Sequence, residues 1–447
     1  MLRIIRVAIL AIAAFGVMIA GNAVTAADRP LPIIFVHGNG DTAGLWITTL
    51  WRFESNDYPR ELLTALDLRY PLARSVDDKP EAGRSSTADV MRQLADEVAA
   101  VRQRTGAEKI ILVAQSRGGN TVRNYLKNGG GAANVAMAIL CGATNHGVIV
   151  SDEHLVGSEF NGASAFMRDL NASPDEVVPG VRFMTIRSDN NDKFAQPDGR
   201  FLNLPGVATG VGYDAPALKG AVNIVLPALD HRETGYSAQA FAAMFPFIAD
   251  RPPATLDIAP EAQPLLNGKV SGFENGAPTN IGLADARIEI YKISPDSGER
   301  LGKAVHQKTT GADGFWGPFT AAPDAYYEFV VTAPGYPVTH IYRSPFPRSS
   351  DIVNLRPQIL AKDDKDSGAV VYLSRPRGYL GIDHHEIEFD DTSPPGITQG
   401  VPGTSSVKLS FPAGPQRTVQ ARFDAERIAA RTWPIADGEV SVFELTY

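Results

Sequence analysis

The chain has 447 residues, 42 Lys and Arg against 50 Asp and Glu, and a formal charge of −8. Its length exceeds the ~100–200 residues of one ordinary domain, and an apolar share of 44% excludes a largely disordered polymer. The acidic balance argues against a nucleic-acid partner, which would select a basic surface.

Arg3 and Arg6 precede an apolar run, Val7–Ala20, followed by Val24-Thr25-Ala26-Ala27. A basic start, a short greasy stretch and small residues at a cleavage point describe a secretory signal peptide over residues 1–27. Gly21, Asn22 and Thr25 leave the run short of the ~20 apolar residues a membrane span needs. Cleavage near Ala26 or Ala27 is expected, with export to the periplasm or the medium and a mature charge of −10. Cys141 is the single cysteine, so no intramolecular disulfide can form.

From residue 28 to 250 short apolar runs alternate with helical periods. Strand Ile33–Val36 is followed by a helix with Val90, Leu94, Val98 and Val101 on one face, opened by Ser86-Thr87-Ala88-Asp89 and ended at Gly106. Strand Lys109–Val113, helix Gly119–Lys127 and strand Val135–Leu140 come next. A helical stretch near Ala163–Leu170, strand Val181–Ile186 and the run Val222–Leu229 complete the series. Such alternation predicts an α/β domain, a mostly parallel sheet covered by helices. Pro252, Pro253, Pro260 and Pro264 mark residues 251–265 as a linker. Period-two segments then predict an all-β region: Arg287–Ile293, Tyr326–Thr332, Val338–Tyr342 and Ile352–Leu355 within 266–361. Val370–Leu373, Ser406–Phe411, Thr418–Phe423 and Glu439–Leu445 fall within 362–447. Whether these two portions form one domain or two is open.

The strongest chemical signal is Ala114-Gln115-Ser116-Arg117-Gly118, between an apolar strand and a helix. A sharp strand-to-helix turn lifts a serine oxygen above a sheet only if the residues two before and two after are small, as Ala114 and Gly118 are. Phe35-Val36-His37-Gly38-Asn39-Gly40 ends the first strand, where a Gly-rich loop lets a backbone N–H approach a reacting oxygen. The N–H groups of Asn39 and Arg117 are the expected oxyanion donors. Among His37, His146, His154 and His231, only His231 lies beyond the final strand run, in the chain order Ser…Asp…His. The acid should follow Val181–Ile186, where Asp192 is the choice and Asp189 the alternative, either being able instead to fix a turn.

These segments resemble those of α/β-hydrolase lipases and esterases, especially the small Bacillus-type lipases. The likeness runs over Leu31–Ile248 through the His37-Gly38-Asn39-Gly40, Ser116, Thr144-Asn145-His146-Gly147, Asp192 and His231 segments. It implies Ser116 as nucleophile, Asp192 as acid, His231 as base, and Asn39 with Arg117 as oxyanion donors. No cofactor or metal is required. Trp46, Phe160, Phe166 and Met167 are candidates for an acyl pocket, and Val148–Val178 for a cap. Residues Gly268–Leu355 resemble carboxypeptidase-regulatory-like or transthyretin-like sandwiches, implying an accessory domain. Asp383-His384-His385-Glu386 and Asp363, Asp364 and Asp366 read as a solvated turn and a polar run rather than metal sites.

The expected function is that of an exported serine carboxylester hydrolase acting on lipid-type esters, with lipid-interface contact through the β region. Two alternatives are a polyester depolymerase with the same triad and a non-catalytic lipid- or polymer-binding protein on this scaffold.

Overall fold

The computed structural model describes residues 29–397 and 399–447. The expected leader at 1–27 lies outside them. No helix of the described residues is long and apolar enough to cross a membrane.

Six strands build the first sheet: β1 (Ile33–Val36), β2 (Leu63–Leu66), β3 (Ile110–Gln115), β4 (Val135–Cys141), β5 (Arg182–Arg187) and β6 (Val222–Val225). They lie in the order β2-β1-β3-β4-β5-β6, and every neighbouring pair is parallel. Helices α1 (Ile47–Ser55), α2 (Thr87–Thr105), α3 (Arg117–Asn128), α4 (Ala165–Leu170), α5 (Glu233–Tyr236) and α6 (Ala238–Ala249) accompany the sheet. This is the expected α/β-hydrolase architecture. The interiors of β1 and β3 are buried throughout, because helices cover both faces. One face packs Phe35 against Phe53, Phe241 and Phe245 of α1 and α6. The other packs Ile34 and Leu112 against Val90, Leu94, Val98 and Val122 of α2 and α3. Helix α2 starts where Ser86 and Asp89 form a reciprocal capping box, and stops at Gly106 with φ 70°. The chain steps outward from β1 to β2 and then returns to β3 on β1's other side. The carboxyl ends of β1 and β3 therefore flank a topological switch point, where such sheets open a crevice.

The remainder is strand-rich, as expected. Its strands are β7 (Leu265–Leu266), β8 (Ser271–Glu274), β9 (Ala277–Gly282), β10 (Arg287–Ile293), β11 (His306–Thr309), β12 (Phe319–Thr320) and β13 (Tyr326–Thr332). After them come β14 (Val338–Arg343), β15 (Ala369–Ser374), β16 (Ile387–Phe389), β17 (Ser406–Phe411), β18 (Thr418–Phe423), β19 (Glu426–Arg431) and β20 (Glu439–Glu444). Seven of these form a mixed sheet in the order β11-β10-β13-β14-β20-β15-β17. The final strand, β20, pairs in parallel with β14 on one side and β15 on the other. Residues 266–361 and 362–447 thus share one sheet. Ile352–Leu355, expected as a strand, forms an isolated bridge from Leu355 to Val270, its N–H groups at Val353 and Leu355 donating to the Asn267 and Lys269 carbonyls.

Leu31–Tyr447 forms one compact unit. Ile47 and Trp51, on the outer face of α1, join the β core with Trp316, Phe346 and Val353. The Trp51 indole N–H donates to the Ser349 carbonyl at 2.9 Å. Residues 251–259 run along α1: Arg251 donates to the Asn56 carbonyl, Ala254 N–H to the Asn56 side-chain oxygen and Ala259 N–H to the Ser55 hydroxyl.

Candidate active site

The site is built on the ends of four parallel strands. Ser116 follows β3 and takes φ 53°, ψ −123°, a conformation side chains rarely adopt, while α3 starts at the next residue. Its N–H donates to the Cys141 carbonyl at 2.9 Å and its carbonyl accepts from Gly119 at 2.8 Å, so the turn is fixed at both ends. A methyl group on Gly118 would lie 2.5 Å from the Val36 carbonyl oxygen, which is why glycine occupies the close crossing of α3 over β1.

Asp192 and His231 meet at the ends of β5 and β6. The His231 Nδ1 lies 2.9 Å from both Asp192 carboxylate oxygens. Asp192 also accepts the Phe194 N–H at 2.8 Å, and the Phe194 ring stands edge-on to the imidazole at 4.7 Å. The other ring nitrogen, Nε2, is buried with no hydrogen-bond partner among the described residues. Gly142, at φ +53°, passes the histidine so closely that a side chain there would meet the His231 carbonyl at 2.8 Å. Asp189 is turned elsewhere, accepting from the N–H groups of Asn191 and Ala228. Burial works to raise its pKa, but those hydrogen bonds prevail and hold the carboxyl below the usual range.

Ser116 and His231 face one cavity of about 160 Å³, together with Asn39 and Thr144. Its apolar wall comes from Val148, Leu155, Phe160, Phe194 and Leu202, closed by Tyr379 of the β region. Of the four acyl-pocket candidates, Phe160 lines this cavity. Trp46 and Met167 are buried in the fold, and half-buried Phe166 sits on α4 outside the lining. Exposed Val150, Leu155 and Val156 stand on the loop that supplies Val148 and Phe160.

The loop after β1 is held from below. His37 donates from Nδ1 to the Gly38 carbonyl at 2.9 Å, and its Nε2 accepts the Leu68 N–H at 3.1 Å. Its complete burial depresses its basicity, which suits this fixed tautomer. The Asn39 side chain accepts from Ala73 N–H at 2.7 Å, orienting the residue's backbone. Arg117 is the first residue of α3, where N–H groups lack intrahelical acceptors. Its buried guanidinium turns away to Glu159 at 2.7 Å and to Ser85 and Pro71. His146 pairs with Glu176 at 3.1 Å, and the His154 carbonyl accepts from Asn161.

Several neighbours carry no local sequence signal. Arg232 pairs with Asp41 at 2.5 Å, and its guanidinium lies 4.7 Å from the Tyr379 ring centre. Lys193 lies 4.4 Å from the same ring, and its burial beside Arg232 pushes it down to about 8. Arg375 reaches Asp230 at 3.0 Å, Glu233 at 2.6 Å and the Tyr236 hydroxyl at 2.9 Å. The Tyr379 N–H donates to Asp230 at 2.6 Å. His385 lies 3.3 Å from Glu233 and 2.8 Å from Asp424, so the segment expected as a solvated turn has one member packed inward. Asp364 is taken up by Lys408, Tyr372 and the Ala361 N–H, and no group of residues suited to a metal occurs among the described residues.

Residues 32–207 match the family model described as the alpha/beta hydrolase fold, and residues 263–360 match that of the lipase C-terminal domain. No curated protein sequence matches the chain. Among solved structures it is similar to Aspergillus fumigatus lipase B, at 16% identity and TM-score 0.36, covering 51% of this chain and 54% of that one. The chain thus spans about half the length of that lipase. A Bacillus licheniformis lipase in mature form gives 19% identity and TM-score 0.34, covering 49% of this chain and 92% of that one. For a Paleococcus ferrophilus monoacylglycerol lipase the values are 11% and 0.32, with 50% and 96% covered.

Proposed function

Since this chain is an α/β hydrolase of the lipase and esterase type carrying a lipase C-terminal domain, we propose that it is an exported serine hydrolase of lipid-type carboxylic esters. The observation that carries the reading is one apolar cavity bounded by the strained Ser116 turn and by His231, whose other nitrogen meets Asp192.

Ser116 attacks the ester carbonyl while Nε2 of His231 takes its proton. Asp192 holds the Nδ1 proton and stabilises the imidazolium that forms. The N–H groups of Asn39 and Arg117 receive the tetrahedral oxyanion, each such donor being worth ~3 kcal/mol in the transition state. His231 then returns its proton to the departing alkoxide, and activates the water that cleaves the acyl-enzyme. Val148, Leu155, Phe160, Phe194, Leu202 and Tyr379 offer the acyl chain an apolar wall. Exposed Val150, Leu155 and Val156 give the rim an apolar face toward a lipid surface.

Hydrolysis of p-nitrophenyl esters from acetyl to palmitoyl, in wild type and Ser116→Ala, tests this. Turnover that disappears in the variant supports the reading, and the chain-length optimum separates lipase from short-chain esterase or polyester depolymerase. A wild type that neither turns over nor is labelled by a serine-directed phosphonate would leave only a binding role. Export rests on Arg3, Arg6 and the Val7–Ala20 run. N-terminal sequencing of protein recovered outside the cytoplasm should begin at Ala27 or Asp28.

A further inference from the structure

A second cavity, of about 240 Å³, lies at the seam between the catalytic portion and the β region. Its lining is unusual in charge: Arg232, Arg343, Arg356 and Arg377 against Asp41 and Glu444. Both carboxylates are already engaged, Asp41 by Arg232 at 2.5 Å and Glu444 by Arg343 at 2.6 Å. Arg356 bonds to neutral groups, the Thr279 carbonyl at 2.9 Å and the Asn280 side-chain oxygen at 3.0 Å. Arg377 likewise bonds to the carbonyls of Thr446 and Leu445.

Two carboxylates stand behind this lining. Asp67 is shared by Lys269 and Asn354. Glu426 accepts the Ser344 hydroxyl and the N–H groups of Thr446 and Tyr447. The lining itself carries two more positive than negative charges, and Glu426, bonded only to neutral donors, offsets one of them from behind Arg377, which leaves one cation in excess. Buried cations without counter-charges are costly unless something pairs them. Nε and Nη2 of Arg343 and Nε of Arg356 are also buried without partners among the described residues. Several guanidinium forks converging on one polar space match an oxyanion with several acceptor oxygens.

We propose that this seam cavity binds a compact dianionic oxyanion of the phosphate class. Its volume is several times the ~30 Å³ share of one water, so the ion fits with part of its hydration shell. The bound ion would tie β14, through Arg343, to the loop holding Arg232, one residue from His231.

The test is calorimetric titration of the full mature chain with sodium phosphate, against sodium chloride at equal ionic strength. Phosphate should bind with a dissociation constant of about 1 mM or tighter and raise the melting temperature by ~2 °C or more at saturation. Glu444→Gln, which keeps a hydrogen-bonding oxygen for Arg343 but removes a negative charge, should tighten binding ~5-fold, and Arg356→Met should weaken it ~10-fold. Glycerol 3-phosphate binding as tightly as phosphate would admit a lipid headgroup as the source, whereas binding of phosphate alone restricts the site to the free ion. Equal melting temperatures in phosphate and chloride with no heat of binding, or an affinity unchanged in both variants, would overturn the proposal. The wild-type arm decides even if a variant does not fold.

Discussion

Ser116 can hold φ 53° only because the residues around it leave no easier path, and such backbone costs ~1–3 kcal/mol by itself. Gly118 is the most exacting of those neighbours: Gly118→Ala sets a carbon 2.5 Å from the Val36 carbonyl. It should lower stability by ~2–3 kcal/mol in urea unfolding and reduce ester turnover further, since β1 carries the Asn39 loop. The two aspartates separate cleanly by the same kind of reasoning. Asp192→Asn should cut kcat by ~10⁴-fold, because the amide can hold the imidazole in the wrong tautomer. Asp189→Ala should leave turnover close to wild type and cost ~1 kcal/mol of stability, the loss of its bonds to Ala228 and Asn191. Steady-state kinetics and denaturant midpoints for the pair check both halves. The sequence left these residues as alternatives because both follow one strand, and spacing alone does not say which carboxylate turns inward. Ser116 and His231 were legible for the opposite reason: each lies at a strand end whose apolar run and chain order are local features.

The loop between β6 and α5 carries His231, and the β15–β16 connection clamps it. Arg375 touches both Asp230 and Glu233, each of which is almost fully buried. Arg375→Met would strand two carboxylates, costing ~3–5 kcal/mol, and should lower kcat by loosening the loop beside the imidazole. His385 extends the same cluster. Burial opposes its charged form, but contact with Glu233 and Asp424 prevails and raises its basicity above the ordinary 6.5. The folded chain then holds this proton more tightly than the unfolded one. Its contribution is full below about pH 6.5 and fades as pH climbs through the raised value. Urea midpoints at pH 6 and pH 9 should differ more in wild type than in His385→Gln. None of this clamp was readable from sequence. Arg375, Tyr379 and His385 sit 142 to 152 positions beyond Asp230 and Glu233, and their own surroundings spell only a turn. Asn280 repeats the pattern from β9, donating to the Asp41 carbonyl at 2.9 Å beneath the loop after β1.

Over the whole molecule, the β region is bound to the catalytic portion by core as well as by charge. Ile47 and Trp51 of α1 belong to the same apolar cluster as Trp316 and Phe346, so α1 buries one face in each core. The β portions are joined in turn by β20, which lies between β14 and β15. A cut after residue 250 would expose Trp51, whose burial is worth ~3–5 kcal/mol by truncation to Ala, and would remove the cation facing Asp230 and Glu233. Either loss is comparable with the ~5–15 kcal/mol total stability of an ordinary domain. Residues 28–250 expressed alone should therefore be insoluble or devoid of esterase activity, while residues 28–447 melt in a single calorimetric transition. A soluble, active 28–250 fragment would show that the β region serves only as an appendage. Removing just the last nine residues distinguishes mere covering from integration. It deletes β20 and the Thr446 and Tyr447 carbonyls that hold Arg377 and Arg375. The truncated chain should lose ester turnover together with the mixed sheet, because the strand that joins β14 to β15 also ends against the clamp on His231's loop.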